Sequence, residues 1–135
     1  MASRWPGDVV LDNIGIVDDD DAVRDAISIL LRLNGFDVTA YNSGPSLLGD
    51  DQLDRFRCLI LDIHMPMMSG IELFELLRRR NIMTPVILVT GRDEPRELAR
   101  IKAIGTVKVL QKPVLEQTLM AEVRDALAQH TGAHT

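Results

Sequence analysis

The sequence predicts an open α/β domain, a parallel sheet with helices on both faces. Three observations point there. From Ile14 onward, apolar runs of strand length alternate with segments of helical period. Polar residues recur at the C-terminal ends of those runs. The size also fits: 135 residues, 46% apolar and 26% charged, make one globular domain. Such a chain buries about two-thirds of its unfolded surface, so it folds without a disulfide or a structural metal.

Residues 1–13, with Trp5, Pro6 and Gly7, show little periodicity and read as an N-terminal arm. The domain is expected over 14–129, followed by a tail at 130–135. The first strand is Ile14 to Asp18. The helix after it carries Ala22, Val23, Ala26, Ile27, Leu30 and Leu33 at helical spacings, and Gly35 supplies its stop. Phe36 to Tyr41 alternates as an outer strand. A second helix is expected from Ser43 to about Asp54 around Leu47 and Leu48, although Gly44, Pro45 and Gly49 weaken it.

Cys58 to Asp62 is a continuous apolar run ending in a carboxylate, as in a central strand buried on both faces. Ser69 and Glu72 have the spacing of a capping box for a helix presenting Ile71, Phe74 and Leu77. That helix ends in Arg78, Arg79 and Arg80, where cations suit the negative end of the helix dipole. Pro85 to Thr90 is the fourth strand, Asp93 to Ala103 a fourth helix with few large apolar groups, and Val107 to Gln111 the fifth strand. Leu115, Leu119, Val123 and Leu127 mark the last helix, Leu115 to Gln129. No internal repeat, low-complexity tract or linker interrupts the alternation.

Composition narrows the function. A net charge of −5 counts against a direct nucleic-acid surface, which needs clustered Lys and Arg. No apolar stretch approaches the ~20 residues that span a bilayer, and the N-terminus lacks a signal-peptide core, so no membrane partner and a cytoplasmic location are expected. The single cysteine, Cys58, lies in an apolar run and reads as a buried structural thiol.

The chemistry collects at strand ends. Strand one finishes in Asp18-Asp19, strand three in Asp62 and strand four in Thr90, and strand five is followed by Lys112-Pro113. In an open parallel sheet these ends share one edge, where ligands bind at the reversal of strand order. Three crowded carboxylates repel one another unless a cation is present, and all-oxygen donors with few protein ligands select Mg²⁺. Asp62 is then placed to attack phosphorus, with Thr90 and Lys112 stabilising the transferred oxygens. Asp18 and Asp19 equally suit capping of the first helix. His64 invites a zinc reading, but His130 and His134 lie in the tail and neither stands at helical spacing from His64.

Asp18-Asp19, the segment Leu61 to Gly70, Val89-Thr90-Gly91 and Lys112-Pro113 resemble, in order, the signature motifs of the bacterial two-component response-regulator receiver family. The likeness runs from about Ile14 to Ala128 and is greatest to receivers of nitrogen-fixation and quorum-type transcription regulators. It implies a flavodoxin-like (βα)5 fold with sheet order 2-1-3-4-5. It implies Asp62 as phosphoacceptor. Mg²⁺ would be held directly by Asp19, Asp62 and the backbone carbonyl of His64, and through water by Asp18. Thr90 and Lys112 would contact the phosphoryl group, while the His64 and Arg92 side chains would modulate dephosphorylation.

The resemblance also implies a sensor histidine kinase as partner and a shift between two states in the fourth and fifth helices with strand five. Homodimerisation on phosphorylation and a DNA-binding output domain outside this chain are further expectations; the chain reads either as a stand-alone receiver or as part of a longer regulator. Two positions depart from the pattern. Val109 replaces the usual aromatic switch residue, and Lys108 replaces an acidic one. The rivals are a Mg²⁺-dependent aspartyl phosphohydrolase, which usually needs a second carboxylate where His64 stands, and a protein-binding pseudo-receiver that takes no phosphate.

Overall fold

The computed structural model describes residues 10–91, 99–101, 103 and 107–132. Its elements are β1 (Asn13–Val17), α1 (Asp21–Leu33), β2 (Asp37–Tyr41), α2 (Gly44–Leu48), a 3-10 turn (Leu53–Arg55), β3 (Phe56–Asp62), α3 (Gly70–Arg79), β4 (Val86–Thr90), β5 (Lys108–Gln111) and a C-terminal helix (Glu116–Gly132). The five strands form one parallel sheet in the order β2-β1-β3-β4-β5. This is the expected flavodoxin-like arrangement. The order reverses beside β1, which opens a crevice at the C-terminal ends of β1 and β3.

Strand alternation divides the interior in two. Cys58 and Ile60 face α1 and the C-terminal helix, joining Ile14, Ile16, Leu31, Leu119 and Val123 in one core. Leu59 and Leu61 point the other way, to Leu47, Ile71, Phe74 and Leu77. Each fully buried Leu or Ile contributes about 1.5–3 kcal/mol by leaving water. Burial of β3 and β4 on both faces is what makes their runs continuously apolar. β2, with solvent on part of its surface, alternates.

Local signals account for the helix starts. The Asp20 side chain accepts hydrogen bonds from the Ala22 and Val23 backbone N–H groups at 2.9 and 3.2 Å, capping α1. Capping by Asp20 leaves Asp18 and Asp19 for the crevice. Ser69 and Glu72 form the reciprocal capping box of α3. Gly35, with φ of +90°, turns the chain after α1.

Several elements differ from expectation. The second helix stops at Leu48 instead of reaching Asp54. The Asp50 carboxylate instead accepts from the Gln52 N–H, Arg55 and the Tyr41 hydroxyl, drawing the chain out of helical geometry. β3 therefore starts early, at the buried Phe56. Leu33 is 76% exposed, because at about 100° per residue it lies well off the face carrying Ile27 and Leu31. Leu115 precedes the last helix and is exposed, and that helix continues past Gln129 to Gly132. β2, β4 and β5 each start one residue later than expected, and β1 lies one residue earlier at both ends. Of the fourth helix expected at 93–103, Ala99, Arg100, Ile101 and Ala103 are helical, and the rest lies outside the described residues. Residues 1–9 and 133–135, including His134, also lie outside them.

Candidate functional site

The crevice is assembled from strand ends. Register aligns Val17 of β1 with Leu61 of β3, and Asp62 with Val89 of β4. The residues just beyond β1 therefore stand beside Asp62. Asp18 and Asp62 are nearly buried, at 2% and 3% exposure, whereas Asp19 is exposed. Oxygens of all three carboxylates lie within 4.8 Å of one another. Among the described residues this is the group of acidic, His or Cys side chains that could hold a metal.

Lys112 closes the crevice from the β5 side. Its Nζ lies 3.2 Å from Asp18 Oδ2 and 3.3 Å from Asp62 Oδ1. The Lys112 N–H donates to the Thr90 carbonyl at 2.8 Å, tying the loop to the end of β4, and the Lys112–Pro113 peptide is cis. The Asp62 carboxyl is pushed up to about 6, first by burial and then by the charge of Asp18, with Lys112 working against both. Burial by itself would lower the Lys112 ammonium, but the charges of Asp62 and Asp18 outweigh it and hold the pKa above the ordinary value. Asp62 Oδ1 also accepts from the His64 N–H at 3.3 Å.

One ammonium stands among three carboxylates that offer oxygen donors only. That donor set fits a hard divalent cation, which would offset the repulsion raising Asp62. Asp18, Asp19 and Asp62 are the residues able to hold it.

Around this centre, Thr90 is buried and its Oγ1 lies 3.4 Å from His64 Nε2. The ring of the exposed His64 thus reaches across the mouth of the crevice. Arg92 lies outside the described residues, as does the His130 side chain. Val109 is half-buried against the α3-side core, while Lys108 Nζ sits 3.7 and 3.8 Å from the Glu122 and Asp125 carboxylates. Cys58 is fully buried and its thiol is pushed up to about 12 by desolvation, which makes it unreactive.

Sequence reasoning missed Gly70. A Cβ there would lie 2.3 Å from the backbone oxygen of Asp62, and the Gly70 N–H donates to the Ile63 carbonyl at 3.1 Å. Only glycine lets the start of α3 press against the end of β3. The sequence signal was available as a glycine at a helix N-terminus shortly after the strand, but the contact that demands it is long-range in space.

Residues 14–124 match the family model of the response regulator receiver domain. This chain belongs to that family. The receiver is 38% identical over 115 residues to the response regulator protein TodT of Pseudomonas putida, covering 84% of this chain and 50% of TodT. It is 35% identical over 118 residues to the transcriptional regulatory protein FixJ of Rhizobium meliloti, covering 87% of this chain and 57% of FixJ. The chain spans about half the length of these curated relatives. Among solved structures, the chemotaxis protein CheY4 of Vibrio cholerae superposes with a TM-score of 0.78 at 28% identity, over 87% of this chain and 100% of that one. The receiver is thus a member of a signalling family, and no helix among its described residues is long and apolar enough to cross a membrane.

Proposed function

We propose that this receiver takes a phosphoryl group onto Asp62 from a sensor histidine kinase, or from a small acyl phosphate, in a Mg²⁺-dependent reaction. The observation that carries the reading is the Lys112 ammonium lying 3.2–3.3 Å from both Asp18 and Asp62 in a crevice where the two carboxylates are buried. A carboxylate oxygen of Asp62 attacks phosphorus as the bond to the donor breaks, releasing the imidazole nitrogen of a phosphohistidine or the carboxylate of a small acyl phosphate and leaving an acyl phosphate on Asp62. Bound Mg²⁺ supplies positive charge that offsets the phosphoryl and carboxylate charges. Asp19, Asp62 and the His64 carbonyl would hold it directly, and Asp18 through a bound water. Lys112 moves from neutralising Asp62 to contacting a phosphoryl oxygen, and the Thr90 hydroxyl donates to another.

The His64 ring, already beside Thr90, and Arg92 regulate the approach of water to the acyl phosphate. The added charge shifts the population of two states in the segment from the fourth helix through β5 to the C-terminal helix. With Val109 in place of the usual aromatic side chain, that shift is read without an inward-turning aromatic ring at this position. The receiver domain, residues 14–129 between an arm and a tail, works in the cytoplasm and signals to a DNA-binding output domain, through a homodimer formed on phosphorylation. A phosphohydrolase reading loses support because His64, not a carboxylate, stands two residues beyond Asp62.

Incubation with acetyl phosphate and Mg²⁺, followed by intact-mass measurement, tests this. Wild type gains one phosphoryl mass and Asp62→Asn gains none. Equal labelling of both removes Asp62 as acceptor. No labelling of wild type by either acetyl phosphate or a phosphorylated kinase supports the pseudo-receiver.

A further inference from the structure

The acidic loop after β1 is braced from α1. Arg24, one turn into α1, is largely buried, and its Nη1 donates to the backbone carbonyl of Asp18 at 2.7 Å. The second Nη pairs with the Asp21 carboxylate. The Asp18 N–H donates to the Tyr41 carbonyl at 3.1 Å, and the Asp20 N–H donates to Asp18 Oδ1 at 2.9 Å. The loop is therefore gripped from β2, from its own turn and from α1.

The Arg24 contact differs from the others in what it fixes. The carbonyl of Asp18 belongs to the peptide that carries Asp19, so its anchoring sets the plane from which Asp19 projects. Asp18 is held by burial and by Lys112, whereas Asp19 is exposed. The Arg24 Nη1 bond is the side-chain contact among the described residues that acts on the Asp18–Asp19 peptide oxygen. The Ser28 hydroxyl donates to the Arg24 carbonyl at 2.8 Å, placing a further bond at the base of the brace.

We propose that Arg24 is a positioning residue for the divalent cation, orienting Asp19 toward Asp18 and Asp62 through the Asp18 carbonyl. This rests on the reading of those three carboxylates as the Mg²⁺ site. Positioning and simple electrostatics have opposite signs here. A positive charge near a cation site weakens cation binding, so removing it without any positioning effect would tighten binding. Loss of a group that orients a ligand instead weakens it, commonly about tenfold or more.

The test is Mg²⁺ titration calorimetry on the full chain, with thermal melts in chelator to verify folding. Arg24→Met keeps the aliphatic stem and its packing while losing the donors. It should bind Mg²⁺ about tenfold more weakly than wild type. Arg24→Lys should recover part of the loss. Asp21→Asn removes the ion pair but keeps the bond to Asp18, and should bind near the wild-type level. Wild-type binding that Asp19→Asn abolishes, together with unchanged or tighter binding by Arg24→Met, overturns the positioning role alone. Failure of wild type to bind Mg²⁺ overturns the metal-site reading and this inference with it.

Discussion

Replacing Asp62 should make the metal-free protein more stable at neutral pH. Asp62 is 3% exposed and its carboxyl is pushed from an ordinary 3.8 to about 6 by burial and by Asp18. A folded-state pKa above the unfolded value means that the folded state binds the proton more tightly. The resulting stability is fully present below about pH 4 and is lost as pH rises through about 6. At about 1.36 kcal/mol per pKa unit, ionising Asp62 in place costs at most roughly 3 kcal/mol at pH 7.5. Asp62→Asn removes that cost with little change in volume. Urea unfolding in chelator should therefore show the variant more stable than wild type by roughly 2–3 kcal/mol at pH 7.5, with the gap closing toward pH 4. Added Mg²⁺ should narrow the gap at pH 7.5 by stabilising wild type more than the variant. An Asp62→Asn protein equal to or less stable than wild type at pH 7.5 refutes the electrostatic account, as does a gap that does not shrink on acidification.

Three further outcomes are expected. Gly70→Ala forces a methyl group to within 2.3 Å of the Asp62 backbone oxygen, so denaturant unfolding should show a loss of about 1–3 kcal/mol, with slower acetyl-phosphate labelling of the displaced Asp62, the proposed acceptor. Lys112→Met removes the cation facing Asp18 and Asp62; the Asp62 carboxyl, followed by carbon-detected NMR in chelator, should titrate above its wild-type value, and an unchanged value would exclude Lys112 as its counter-charge. Cys58, buried with its thiol pushed up to about 12, should resist thiol reagents at pH 8 in the folded protein and react after denaturation, as followed by mass spectrometry.

Much of the architecture was legible because it depends on short-range pattern. The continuous apolar run at Cys58 to Leu61 specifies a strand covered on both sides, and Ser69 with Glu72 specifies a helix start, since each signal is complete within a few residues. The same holds for the candidate site: a parallel sheet brings all strand ends to one edge, so Asp18, Asp62, Thr90 and Lys112 are neighbours once the strands are recognised. What local pattern lacks is the partner across space. Nothing near Asp50 in sequence announces the Tyr41 hydroxyl, yet with Arg55 it helps end α2 at Leu48.

The sequence by itself therefore determined the strand and helix alternation and the edge at which the acidic residues meet. Tertiary structure decided the remainder: that the Lys112 Nζ lies between two buried carboxylates, that Gly70 must lack a side chain, and that Arg24 grips the Asp18 carbonyl. The physical reason is that periodicity reports which face of an element is buried. Distances of about 3 Å between charged groups depend on how separate elements are set against one another.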